Sequence, residues 1–222
     1  MNKSTPRKRR YKSEARAQSA EDTRRRILAA AKALFARRGI DDVTIEEIGT
    51  KAEVAASTVY AIYKSKEGIL RALMEASLFG RQFQAAQRLV IDVTDPVALI
   101  ELTAHVARAV YESESSDLGL LRHASGFSPA LRKIELEFER LRYEMQAPRV
   151  QRLFEDGRAR RGLSPDDARR ILWMYTSREV YRMLVHDGGW TPDRYQSWLS
   201  RTLVEALVDR GPALTPPMNE RV

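Results

Sequence analysis

Apolar residues recur at helical spacing along most of the 222-residue chain, and no segment sustains an alternation of apolar and polar positions. The pattern predicts an all-α fold without a sheet. From Asp22 or Thr23 onward, Ile27, Leu28, Ala31, Leu34 and Phe35 share one side of a helix that Gly39 ends, as a left-handed cap would. Thr44 then makes an N-cap, because Glu47 three residues on reaches back to its amide while Val43 and Ile48 flank the pair. A second helix is expected over residues 45–52, a turn at Glu53-Val54-Ala55, and a third helix over 56–63 whose Val59 and Tyr63 face inward with Val54, Ile48, Ala31 and Phe35.

Further along, Asp95-Pro96, Ser128-Pro129, Ser164-Pro165 and Thr191-Pro192 each set a capping side chain before a proline at the first helical position. Leu131, Ile134, Phe138, Leu141 and Met145 keep a helical stripe through a long helix from 129 to about 161, which Pro148 is expected to kink or divide. Helices follow near 165–187 and 193–209.

Charge changes this picture by its location. The net charge is +8, and residues 1–70 hold 16 Lys/Arg against 9 Asp/Glu. A basic surface so localised attracts polyanions. The first twenty residues, with Arg7, Arg9 and Arg10 and few apolar groups, read as a disordered basic arm. The chain has no cysteine, no secretory signal and no run of apolar residues long enough for a membrane span, which fits a cytoplasmic location and no membrane partner.

A small bihelical unit exposes the outer face of its second helix, and an α-helix fits the major groove of DNA. Here that face carries Ala56, Ser57, Thr58, Tyr60 and Ala61, with Lys64 and Lys66 just beyond and Thr44 and Lys51 at the edge for flanking phosphates. The runs TIEEI and AEVAASTVYAIYKSKEGIL resemble the DNA-binding domain of the TetR family of bacterial transcriptional regulators, over residues 22–70. The resemblance implies phosphate contacts from Thr58, Tyr60 and Lys66 and base-facing positions at Ala56, Ser57 and Ala61. It also implies a homodimer on a palindromic operator in double-stranded DNA, usually a repressor released by a small-molecule effector.

Three positions depart from the family pattern: Glu53 for the usual turn glycine, Ala55 for a capping serine, and Tyr63 for phenylalanine. Glu53 is expected to avoid a positive φ, and the first two departures weaken the turn by about 1 kcal/mol together. The third helix lacks Arg, Asn or Gln for bidentate base contacts, so the basic arm is expected to add affinity and a reading of minor-groove width.

The expected organisation is an arm over 1–20, a helix-turn-helix domain over 21–66, a ligand-binding and dimerisation domain over 67–210, and a flexible tail over 211–222. In the larger part, Trp173, Tyr175, Tyr181, Leu184, Trp198, Leu199 and Leu203 exceed one core-facing stripe and suggest a two-fold interface, against burial inside one monomer. Phe79, Phe83, Tyr111, Leu121, Phe127, Phe138, Met145 and Trp173 suit either an apolar pocket or ordinary core, with Arg122 and His123 near a loop to meet a polar ligand group. His105 falls on a polar face. Three scattered histidines, no phosphate loop and no metal-spaced cluster leave no catalytic constellation, so neither an enzyme nor a cofactor or metal is expected. The alternative function is a nonspecific DNA-coating protein without a ligand.

Overall fold

A computed structural model describes residues 6–112, 119, 122 and 128–209, with side chains from residue 15 onward. Its helices are α1 (Pro6–Arg38), α2 (Ile45–Ala52), α3 (Ala56–Tyr63), α4 (Lys66–Leu78), α5 (Arg81–Ile91), α6 (Pro96–Glu112), α7 (Pro129–Glu155), α8 (Pro165–Tyr175), α9 (Arg178–Tyr181) and α10 (Pro192–Leu207). A π-helical turn, Arg182–Asp187, continues α9. Among the described residues there is no strand, only an isolated antiparallel bridge between Ala159 and Val208. No helix there is long and apolar enough to cross a membrane.

The chain divides into two compact units. The first takes described residues between 6 and 78 and between 119 and 137, so α4 joins the helix-turn-helix and the boundary falls after Leu78, not after residue 66. The reason is packing: Ile69, Leu70, Leu73 and Met74 of α4 are buried, as are Ile27, Ala31 and Phe35 of α1, Ile48 of α2 and Val59 of α3. Each large apolar side chain so enclosed contributes about 1.5–3 kcal/mol.

Helix α1 begins far upstream of Asp22. Residues 7–26 contain neither glycine nor proline and are rich in Arg, with Lys and Ala besides, so a helix nucleated on the core propagates through them at little cost. Residues 6–20, expected as a disordered arm, are therefore helical, and residues 15–20 are all exposed. At its other end Gly39, at φ 81, donates its amide to the Phe35 carbonyl at 2.8 Å.

The turn between α2 and α3 is built on two close approaches. Glu53 adopts φ 55 and ψ 44, in the left-handed region, contrary to the expected negative φ. The Val54 amide donates to the Gly49 carbonyl at 3.0 Å, and a Cβ on Gly49 would stand 2.9 Å from the Val54 oxygen. The turn crosses α2 too tightly for an extended residue 53, and the glutamate accepts a cost of about 1 kcal/mol that glycine would avoid. Ala55 supplies no capping side chain to α3, as its identity implies.

In the second unit, Ile100, Ala104, Leu153, Leu172, Tyr195, Leu199, Leu203 and Leu207 form the centre of the core. All four proline-marked helix starts are present, at α6, α7, α8 and α10. Ser164 and Thr191 accept from the Asp167 and Arg194 amides at 3.1 and 3.2 Å, and Asp95 accepts from the Ala98 amide at 3.0 Å. Pro148 lies inside a continuous α7, which ends at Glu155 and not near 161. Glu144, whose carbonyl loses its partner there, is on the exposed side.

The helix expected over 165–187 is broken at Thr176. Its buried hydroxyl accepts from Arg142 Nη1 at 2.9 Å and Gln146 Nε2 at 2.8 Å and donates to the Leu172 carbonyl at 2.7 Å. Its carbonyl accepts the Tyr111 hydroxyl at 2.8 Å, and Ser177 then caps α9 through the Val180 amide at 3.3 Å.

Glu53→Gly is expected to raise stability by about 1 kcal/mol in urea unfolding. Gly68→Ala is expected to lower it by more than about 2 kcal/mol, because a Cβ there would lie 2.0 Å from the Tyr63 carbonyl oxygen. The Glu47 carboxyl is held below its ordinary value of 4.5 by the Thr44 amide and then by Arg38. A depressed folded pKa gives stability that is complete above about pH 4.5 and lost as pH falls through the lower folded value. Urea midpoints of Glu47→Gln should therefore fall less than wild type between about pH 6 and about pH 3.

Candidate nucleic-acid interface

The outer face of α3 is presented by the burial of its inner face. Val59 is fully enclosed, Ala56 and Thr58 are half-buried, and Ser57, Tyr60 and Ala61 are exposed. Tyr60 is 46% exposed, and its hydroxyl stands free for an external acceptor. Lys51 is exposed in the last turn of α2.

Three of the basic and hydroxyl groups expected at phosphates already hold partners. Thr44 Oγ1 accepts from the Glu47 amide at 3.2 Å while its own amide donates to Glu47 Oε2 at 2.8 Å, a reciprocal cap reinforced by Arg38 at 2.8 Å. Lys64, at φ 67, donates to the Ala61 carbonyl at 3.0 Å. Lys66 donates to the carbonyls of Ile40 and Asp41, each at 3.0 Å, and so ties α4 to the end of α1. Arg7, Arg9 and Arg10 fall in the first turns of α1, and their side chains lie outside the description.

Tyr63 uses the hydroxyl that phenylalanine would lack: it donates to the Arg24 carbonyl at 3.4 Å, and burial raises its pKa. Arg26 donates to the Ala52 carbonyl at 3.2 Å and faces Glu53 at 4.0 Å. The ends of α2 and α3 are thereby fastened to α1. Beside this junction lies a groove of about 360 Å³ lined by Arg16, Ser19, Ala20, Thr23, Arg24, Thr58 and Ile62. Apart from Thr58, none of these was singled out from the sequence as a binding residue. Those on α1 continue the register of its apolar stripe upstream, where the sequence carries no hydrophobic signal.

The residues expected to line one apolar pocket are dispersed. Phe79 meets Phe83 and Phe138 at ring distances of 5.1 and 5.9 Å, whereas Tyr111 stacks with Tyr181 at 5.6 Å and Trp173 with Tyr143 at 6.2 Å. Met145 is exposed, and Arg122 pairs with Glu135 at 2.7 Å in the first unit. Leu121, His123 and Phe127 lie outside the described residues. A separate groove of about 650 Å³ between α6 and α10 is lined by Glu101, Leu102, His105, Gln196, Ser200 and Arg201, among others.

The expected interface residues divide similarly. Tyr181, Leu199 and Leu203 belong to the unit's own core, at 3%, 0% and 0% exposure, so they are not surface. One inward stripe of α10 accounts for Leu199 and Leu203, and Tyr181, at the end of α9, packs its ring against Tyr195 at 4.8 Å. Trp173, Tyr175, Leu184 and Trp198 remain half-buried, beside exposed Met174 and Met183. Among the described residues no group of three or more His, Asp or Glu is placed to hold a metal ion.

Residues 27–73 match the family described as bacterial regulatory proteins, tetR family. The chain is 36% identical over 92 residues to the HTH-type transcriptional repressor NicS of Pseudomonas putida, an alignment covering 41% of this chain and 43% of NicS. The chain thus spans less than half the length of that curated relative. Among solved structures, NalD, the secondary repressor of the MexAB-OprM multidrug efflux pump in Pseudomonas aeruginosa, superposes with a TM-score of 0.67 at 23% identity, over 86% of this chain and 100% of NalD. The SmeT–triclosan complex superposes at 0.64 and 22% identity, over 90% of this chain and 98% of that one; SmeT is the repressor of the Stenotrophomonas maltophilia efflux pump SmeDEF. Residues 27–73 thus match the helix-turn-helix of the bacterial regulatory proteins of the tetR family, and the described residues share an all-α fold with NalD and SmeT.

Proposed function

We propose that the protein is a sequence-specific DNA-binding transcriptional regulator, acting as a repressor that a small ligand releases from its operator. The observation that carries this reading is the outward face of α3. Ser57, Tyr60 and Ala61 are exposed on a short helix whose opposite side is locked into the core, leaving a rigid surface of hydroxyls and a methyl shaped for a major groove. Ser57 and Ala61 supply the base-edge contacts, and Tyr60 a phosphate contact. Lys51 adds a cation at the edge of that surface.

A single α3 reads too few base pairs for a specific site, so the active species is a homodimer on an inverted repeat, its recognition helices one helical turn, about 34 Å, apart. The half-buried Tyr175 and Trp198, in edge contact at 6.1 Å, and the exposed Met174 and Met183 support an interface on the second unit. The effector reading draws on the small-molecule complex formed by SmeT. Ligand and DNA then antagonise each other by equal factors, because each favours one of two dimer states.

Selection of the full-length protein on sheared genomic DNA, sequenced at near-physiological salt, should enrich an inverted repeat bound roughly 10³-fold or more tightly than random duplex. Uniform recovery would instead favour a nonspecific coating protein. On the enriched repeat, Ser57→Ala should relax discrimination at one base pair per half-site, whereas Tyr60→Phe should weaken binding evenly across sequences.

A further inference from the structure

The stripe of α1 that builds the core does not stop where the core stops. Ile27, Ala30, Ala31 and Phe35 are buried, and counting back from Ile27 by three, four, seven, eight and eleven gives Arg24, Thr23, Ala20, Ser19 and Arg16. These five are the α1 side of the groove whose other wall is Thr58 and Ile62 of α3. The helix therefore overhangs α3 with the same face that it buries further along, but there the face has changed from apolar to basic and hydroxylic. By the same count, Lys12 and Arg9 take the next positions of that stripe.

The overhang is long and fixed in place at its base. From Pro6 to Arg26 it runs for 21 residues, about 30 Å at 1.5 Å each, with nine basic residues against three acidic ones. Tyr63 and Arg26 fasten it to the ends of α3 and α2 where it leaves the core. Its acids do little to neutralise the groove: Glu21 reaches Arg24 only at 3.8 Å with both side chains largely exposed, and Asp22 pairs with Arg25, which does not line the groove.

We infer that this groove is a seat for the phosphodiester backbone of the duplex that α3 reads, making α1 a rigid second contact element instead of a flexible arm. The proposal rests on the regulator reading above and deepens it. Arg16 and Arg24 supply charge, and Ser19 and Thr58 supply hydroxyls around a space of about 360 Å³ that admits a phosphate group, while the Thr23 hydroxyl donates to the Ser19 carbonyl at 2.9 Å. Thr58 sits on the recognition helix itself, so the anion seated here belongs to the strand flanking the bases beneath Ser57 and Ala61. A backbone seat adds affinity and register without sequence preference.

The test compares the full-length wild type with Arg16→Gln/Arg24→Gln and with Arg25→Gln, on a duplex bearing the selected inverted repeat and on a scrambled duplex of equal length, across a range of NaCl. The double variant should reduce the slope of log K against log salt by roughly 2 per subunit, since each phosphate contact contributes about 0.9. Both duplexes should weaken by the same factor, and Arg25→Gln should leave the slope nearly unchanged. An unchanged slope in the double variant overturns the proposal, as does an equal loss in Arg25→Gln, which would make the effect one of bulk charge. A changed preference between the duplexes also overturns it, because the groove would then be reading sequence. If wild type binds the two duplexes alike, the regulator reading fails, while the slopes on either duplex still decide whether the phosphate seat exists.

Discussion

Everything the first unit presents to the outside depends on how closely the turn after α2 can fold back on α2 itself. Gly49 admits the Val54 carbonyl where any side chain would collide with it, and Glu53 takes a left-handed conformation to complete the reversal. That geometry sets the direction of α3. With Val59 driven into the core, Ser57, Tyr60 and Ala61 have only the exterior available to them. An eight-residue helix has little stability of its own, so its fixed placement comes from this turn and from the core beneath it.

Strain and capping are distributed accordingly. The start of α2 carries a reciprocal cap between Thr44 and Glu47, strengthened by Arg38, whereas the start of α3 has no side-chain cap. The Tyr63 hydroxyl and the Arg26 guanidinium compensate by fastening both helices to α1. The unit holds α3 chiefly by tertiary ties, which suits the proposed role of its outer face against DNA.

Much of this was legible in the sequence because it is written in local signals. The Thr44 cap, the Gly39 stop and four proline-marked starts each act within a few residues, and α2 and α3 occupy the expected spans. What escaped was set by distant partners or by the absence of a hydrophobic signal. The upstream part of α1 has propensity without an apolar face, so periodicity could not show it. The break at Thr176 needs Arg142, Gln146 and Tyr111 from other helices. Leu199 and Leu203 looked like surplus apolar surface because the sequence does not say how many neighbours surround α10, and Tyr181 because it does not show that Tyr111 and Tyr195 enclose its ring. The aromatic residues of the larger unit, alike in composition, sort into separate stacks that only packing distinguishes.

The proposed DNA-facing surface lies on α3, backed by the overhanging face of α1. Amide hydrogen exchange of the intact protein, with and without a saturating duplex bearing its inverted repeat, addresses that placement directly. Exchange should slow in the segments 54–61 and 15–25, while α2's capped start and the core of the second unit change little. Slowing confined to other segments, with 54–61 unaffected, would contradict the assignment of α3 as the reading helix.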